Sequence, residues 1–182
     1  MPFPAFLDTC VIYPAYLCDT LLRMAEASVF RPPWSADVLS ELRRNVIERG
    51  TSPDRVDRRI DLMRTSFPDA MVTGYESLVD GMANDPKDRH VLAAAVRAHA
   101  EVLVTFNLAD FPEPALKPYD IVAVHPDEFL LDQLDLHPGV TVDVLRQQAA
   151  SYRREPTTVQ GVLALLERTG LPHFAAELRR HL

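Results

Sequence analysis

Three carboxylates stand near the beginning or end of apolar segments of the sequence, and a fourth lies in a predicted helix. Asp8 closes the apolar run that starts at residue 4, Asp110 comes shortly after VLVTF, Asp88 precedes an alanine-rich run, and Glu41 lies in the first half of the helix that follows VFRP. In a parallel α/β sheet ligands bind beyond the carboxyl ends of the strands, and crossover connections bring helix starts to the same rim. We therefore expect these four acids to converge. Hard oxygen ligands without histidine or cysteine suit Mg²⁺ or Mn²⁺, which can support displacement at phosphorus.

Strand-like and helix-like segments alternate through the first two thirds of the chain. The predicted strands are PAFLDTCVI, VFRP, AMVTG, EVLVTF and DIVAV, and the predicted helices cover residues 14–28, 35–49, 52–67 and 86–99. Ser35 or Asp37 can cap the second of these helices. Alternation of this kind requires parallel pairing through crossovers, and it predicts a layered α/β domain.

The pattern changes near residue 126, after which strand-like runs stop and short helix-like segments follow. We expect residues 1–126 to form the main domain and residues 127–182 to form a helical extension. The extension carries apolar stripes, including Val162, Leu163, Leu165 and Leu166. A piece of this size cannot bury much surface alone, so we expect it to pack on the main domain or across a dimer.

Composition sets broad limits on function. The chain has 182 residues, a net charge of −7 and two cysteines. No apolar run approaches the ~18 residues that span a bilayer, and the N-terminus does not resemble a secretion signal, so we expect a cytoplasmic protein without a membrane partner. Of the 19 basic residues 17 are arginine, and seven lie between residues 43 and 64. This stretch is either a phosphate-binding surface or an ordinary solvated helix pair whose acids neutralise the arginines.

Four sequence pieces together carry a family resemblance. FLDTCVI, a helix containing SELRR, DPKDRHVLAAA and TFNLADFP occur in this order between about residues 5 and 125. With them the chain resembles the PIN domain nucleases, and among these the toxins of bacterial VapBC-type toxin–antitoxin pairs. The resemblance implies a three-layer α/β/α domain with a central, mainly parallel sheet, followed by a small C-terminal helical extension.

The resemblance also implies a metal-dependent endoribonuclease whose products carry 5′-phosphate and 3′-hydroxyl ends. The implied cofactor is Mg²⁺ or Mn²⁺, and the implied partners are an RNA substrate, a cognate antitoxin and a second copy of the chain. Cys10 stands where the family usually has asparagine or serine, a departure expected to be minor. By the same resemblance, the expected catalytic and metal-binding acids are Asp8, Glu41, Asp88 and Asp110. The residues expected to support them are Thr9, Asp85, Thr105 and Asn107, and those expected to bind RNA are Arg43, Arg44 and Arg89.

Two alternatives remain open on the sequence alone. A haloacid-dehalogenase phosphatase also begins with a strand ending in aspartate, but it needs a second aspartate two positions later, where this chain has Cys10. A PIN fold could instead serve as a noncatalytic RNA-binding or scaffold module, although all four acids are present. His90, next but one to Asp88, is expected to be a surface residue.

Overall fold

A computed structural model describes residues 2–182. The strands are β1 (Ala5–Leu7), β2 (Trp34–Ser35), β3 (Met71–Val72), β4 (Val102–Val104) and β5 (Val122–Val124). The helices are α1 (Thr9–Ile12), α2 (Ala15–Glu26), α3 (Ala36–Glu48), α4 (Pro53–Ser66), α5 (Arg89–Arg97), α6 (Glu113–Leu116), α7 (Pro126–Leu136), α8 (Pro138–Ser151), α9 (Val159–Thr169) and α10 (Pro172–Arg180). Within this range no helix is long and apolar enough to cross a membrane.

Every strand pair within residues 2–182 is parallel, as the alternation of strands and helices predicts. One sheet has the order β1–β4–β5, with Leu7 opposite Val104 and Val104 opposite Val124. The other pairs β2 with β3. The carboxyl ends of β1 and β4 therefore lie side by side, and Asp8 and Thr105 are the residues that follow them.

Two predicted strands differ from the observed elements. In PAFLDTCVI the strand ends at Leu7, and residues 9–12 turn into α1, because the Asp8 carboxylate accepts a hydrogen bond from the Thr9 amide and caps the turn. VFRP is not a strand; Arg31 makes a single bridge to Pro4. Prolines 32 and 33 lack the N–H groups that a ladder needs, so regular pairing resumes at β2.

The predicted helices are present, with one change at the start of the fourth. Ser35 caps α3 by accepting a hydrogen bond from the Val38 amide at 3.2 Å. The helix expected from residue 86 begins as a 3₁₀ turn, Pro86–Asp88, and continues as α5. Asp88 is therefore the residue at which the backbone passes from one helix type to the other.

The C-terminal extension packs on the main domain through an aromatic cluster and a buried polar network. Phe129 of α7 lies edge-on to Phe30 and Phe3, with ring centroids 5.1 and 6.4 Å away. Gln148 of α8 is fully buried. It accepts a hydrogen bond from the Thr20 hydroxyl at 2.8 Å and donates one to the Tyr16 carbonyl at 3.1 Å. Both polar groups of this glutamine thus find a partner on α2, which fixes α8 in one register.

The extension also reaches the strand end that carries Thr105. Gly170 ends α9 in the left-handed region, with φ of +110°. A Cβ added there would lie 3.2 Å from the ring of Phe106, the residue after Thr105. The close approach and the positive φ together explain why this position holds glycine.

Candidate active site

Asp8 is a buried carboxylate held by three donors at the end of β1. It is 4% exposed and accepts hydrogen bonds from the Thr9 amide at 2.7 Å, the Thr105 hydroxyl at 2.7 Å and the Cys10 thiol at 3.2 Å. Burial raises the pKa of Asp8, and the hydrogen bonds from Thr105, Cys10 and Thr9 oppose that rise. The carboxylate is thus fixed in position but poorly hydrated, a state that a bound cation would stabilise.

Cys10 contacts three other residues of the site. Its thiol donates to Asp8, accepts a hydrogen bond from the Phe106 amide at 3.3 Å and lies 3.4 Å from the Thr105 hydroxyl. Burial, followed by the neighbouring Asp8 charge, raises the pKa of Cys10 to about 12, so the thiol is neutral near pH 7. It links the β1 and β4 strand ends, a supporting role that the sequence did not indicate.

Glu41 faces Asp8 from the first half of α3. Its carboxylate accepts a hydrogen bond from the Thr9 hydroxyl at 3.0 Å, and it lies 3.9 Å from Nε2 of His90. His90 was expected at the surface, but its side chain is only 22% exposed. The expectation was wrong, because His90 lies in the first turn of α5 and its ring approaches Glu41 of α3.

Backbone hydrogen bonds join the two loops that carry the remaining acids. The Asp85 amide donates to the Asp110 carbonyl at 3.1 Å, and the Asp88 amide donates to the Asp85 carbonyl at 3.0 Å. The Asp85 side chain accepts from the Lys87 amide at 3.0 Å, so it also caps the 3₁₀ turn. Residues 85–88 and 108–110 are therefore held together, which places Asp110 near Asp88.

The electrostatics of Asp88 show how closely the acids are grouped. Its pKa is raised to about 6, mainly by partial burial and further by the negative charges of Asp8, Asp110, Glu41 and Asp85. Four other carboxylates thus act on Asp88, as expected for a site that is completed by a cation.

One cavity of about 640 Å³ opens at this rim of the sheet. Its lining residues are Asp8, Thr9, Cys10, Tyr13, Glu41, Asn45, Glu48, Arg49, Asp88 and Asn107. Three of the four predicted catalytic acids share the cavity. Asp110 and Asp85 stand outside the lining, and Thr105 is fully buried behind Asp8.

The carboxylates that line the cavity are chemically suitable ligands for a divalent cation. Within residues 2–182, no three side chains of histidine, cysteine, aspartate or glutamate stand close enough to hold an ion together as they are placed. The chemistry nevertheless fits a hard cation, because the carboxylates that meet here carry only oxygen donors. A cation would also relieve both causes of the raised pKa of Asp88, which are first its partial burial and then the negative charges around it.

The predicted RNA-binding arginines lie outside the cavity. Arg43 and Arg44 are exposed, and Arg43 pairs with Asp57 at 2.7 Å; Arg89 is half-buried. The cation that lines the cavity is Arg49. Helical spacing does not single out Arg49 from Arg43 and Arg44; only the lining of the cavity does.

The fold and the grouped acids together define a PIN domain. A family model described as "PIN domain" matches residues 4–109, and the chain belongs to the PIN domain family. A second model, described as "VapC50 C-terminal domain", matches residues 126–180.

Among curated proteins, the chain is similar to "Putative ribonuclease VapC50" of Mycobacterium tuberculosis (strain ATCC 25618 / H37Rv). The two are 47% identical over 136 residues, which cover 72% of this chain and 80% of the relative. No solved structure matches the chain significantly. Membership of the PIN family replaces the phosphatase alternative that the first strand and its aspartate left open.

The raised pKa of Asp88 predicts how stability depends on pH in the absence of metal. The pKa is about 6 in the folded protein against 3.8 for a free side chain, so between these values the folded state keeps a proton that the unfolded state loses. The free energy of unfolding should therefore fall as pH rises from about 4 to about 6. Asp88→Asn should remove this loss and be more stable by roughly 1 kcal/mol at pH 7, after allowance for solvent screening.

Urea unfolding of both proteins in EDTA, at pH values from about 3 to about 7.5, checks this expectation because the range spans both pKa values of Asp88. Parallel curves of unfolding free energy against pH for wild type and Asp88→Asn would show that folding does not raise the pKa of Asp88.

Proposed function

We propose that the chain is a divalent-metal-dependent endoribonuclease that hydrolyses RNA phosphodiester bonds and acts as the toxin of a toxin–antitoxin pair in the cytoplasm. The observation that carries the proposal is the cavity in which Asp8, Glu41 and Asp88 meet, with Asp110 tied to Asp88 through Asp85. The relative that is named as a ribonuclease supports the choice of RNA as substrate.

In this proposal Asp8, Asp88 and Asp110 hold the cation, and Glu41 orients the attacking water. When bound, the divalent cation supplies positive charge and Lewis acidity at the phosphate. Mg²⁺ and Mn²⁺ are the cations of choice for an all-carboxylate set.

The chain's own groups keep these carboxylates in place. Thr9 holds both sides of the site, because its amide donates to Asp8 and its hydroxyl donates to Glu41. The Thr105 hydroxyl donates to Asp8 and accepts from the Asn107 amide at 3.0 Å, which fixes the chain leading to Asp110. These hydrogen bonds limit how far the carboxylates must move to gather around a cation.

For the substrate, exposed Arg43 and Arg44 on α3 and half-buried Arg89 on α5 are proposed to contact the RNA backbone at the edges of the cavity. An antitoxin is proposed to block the same site by presenting an arginine or lysine to the acids, since a cationic side chain complements the uncompensated negative charge. A second copy of the chain remains a proposed partner.

The proposal predicts metal-dependent cleavage with a defined product. A purified sample should cut a long RNA when Mg²⁺ or Mn²⁺ is present, leaving 5′-phosphate ends that a ligation assay detects, and EDTA should stop the reaction. Binding of RNA without cleavage under any divalent cation would instead support the noncatalytic PIN module.

A further inference from the structure

Beside Asp8, Glu41 and Asp88, the cavity is lined by residues with no proposed part in holding the cation. These are Tyr13, Asn45, Glu48 and Arg49, together with Asn107. Tyr13 directly follows α1, and Asn45, Glu48 and Arg49 stand on or directly after α3. The inference drawn from them rests on the proposed function, because it concerns how the substrate of the same site is held.

Charge makes Arg49 the natural position for a phosphate. Among the residues that line the cavity, Asp8, Glu41, Glu48 and Asp88 are acids and Arg49 is the one side chain that is always cationic. An RNA backbone can approach such a surface only where positive charge is supplied. Arg49 is exposed at the end of α3, and within residues 2–182 it forms no ion pair, unlike Arg43 on the same helix.

Tyr13 is the aromatic residue of this lining, and its backbone is anchored. Its backbone amide donates to the Thr9 carbonyl at 2.9 Å, and its own carbonyl accepts from the Arg59 guanidinium at 3.4 Å. Arg59 also donates to the Ile12 carbonyl, so α4 holds the end of α1. A half-buried ring on an anchored backbone can stack on a base with little loss of conformational entropy.

We infer that Tyr13 and Arg49 form a subsite for one unpaired nucleotide of the RNA, next to the phosphate that is cleaved. The base stacks on Tyr13 and the phosphate of that nucleotide binds Arg49. The side-chain amides of Asn45 and Asn107 offer donors and acceptors to the base edge. The cavity, at about 640 Å³, falls within the roughly 300–1,000 Å³ typical of small-ligand sites.

Tyr13 can take up only a base that is free to leave a duplex. A base that stacks on Tyr13 must leave its own helical stack, and in an A-form duplex this would break a base pair. The inference therefore predicts that unpaired segments, such as loops and ends, bind and that paired segments do not.

Binding of a short labelled RNA, measured by fluorescence anisotropy in Mg²⁺, tests the subsite in a background that does not cut. The parent is the full chain carrying Asp8→Asn. A single-stranded oligonucleotide should bind to it at least roughly tenfold more tightly than the same sequence in a duplex. Adding Tyr13→Ala should weaken single-strand binding roughly tenfold, whereas Tyr13→Phe, which keeps the ring, should stay within about twofold.

Arg49→Ala should also weaken binding roughly tenfold and should reduce the salt dependence by about one phosphate contact. Arg154→Ala is the matched control, because Arg154 is also exposed but lies in the loop after α8 and does not line the cavity. It should change binding less than about twofold. If Tyr13→Ala fails to fold, Tyr13→Leu removes the aromatic face while keeping most of the side-chain volume.

Equal binding of single strand and duplex would overturn the inference, as would parental affinity in both the Tyr13 and Arg49 variants. Either result leaves metal-dependent cleavage by the wild type untouched. Conversely, tyrosine-dependent binding together with no cleavage under Mg²⁺ or Mn²⁺ would overturn the proposed function and retain the subsite.

Discussion

Replacing Asp8 with asparagine is expected to lower the rate of RNA cleavage by roughly a thousandfold, with no loss of folded structure. Asp8 is the most buried of the four acids and the one with three hydrogen-bond donors around it. An amide of the same shape can still accept from the Thr9 amide, so the cap of α1 survives. It cannot supply the negative charge that a cation requires.

Single-turnover cleavage and circular dichroism of the two proteins measure both halves of this prediction. Asp143→Asn is the matched control, because Asp143 is an exposed acid on α8, far along the chain from the site, and should cleave at the wild-type rate. A well-folded Asp8→Asn protein that cleaves as fast as wild type would remove Asp8 from the catalytic machinery.

A large change in the free energy of unfolding is also expected where the two proposed parts of the chain, residues 1–126 and 127–182, pack together. Phe129→Ala should lower the free energy of unfolding by about 3–4 kcal/mol, because its ring is 2% exposed and packs between Phe30 and Phe3 of the main domain. Leu136→Ala on the same helix is the control; its side chain is 67% exposed, and the cost should stay below about 0.5 kcal/mol.

Trp34 makes this measurement specific to the main domain. It is the single tryptophan of the chain, it is fully buried, and it packs against Phe67, so its fluorescence reports on the α/β part. A shared core predicts that Phe129→Ala moves the urea transition seen by Trp34. An unchanged Trp34 transition would show that the extension folds as a separate module.

The sequence predicted the parallel α/β architecture because each apolar run is bounded by a clear break. Asp8 was identifiable since a carboxylate at the end of a buried strand is costly without a purpose. The VFRP strand was a wrong prediction: its apolar residues outweighed Pro32 within the segment and Pro33 after it, neither of which can donate a backbone hydrogen bond. The pattern of apolar residues alone does not show whether burial of their side chains outweighs the loss of backbone N–H donors at the prolines.

The grouping of Asp8, Glu41 and Asp88 in one cavity could be predicted from the sequence, but the surroundings of these acids could not. Arg43 and Arg49 look alike in the sequence, and their surroundings differ because Arg43 pairs with Asp57 on α4 while Arg49 lines the cavity. The contribution of Cys10 depends on the Phe106 amide, 96 positions away along the chain. Contacts of this kind arise from tertiary packing, which spacing within one element does not encode.

The most direct test of the shared cation site is a thermal unfolding titration with Mg²⁺ on wild type and Asp88→Asn. An ion that binds only the folded state adds about 2.7 kcal/mol at a hundredfold excess over its dissociation constant. A shared site predicts that Asp88→Asn melts at or above wild type in EDTA, and that Mg²⁺ then raises the wild-type melting temperature by more than that of the variant. Identical melting temperatures for the two proteins at every Mg²⁺ concentration would contradict it.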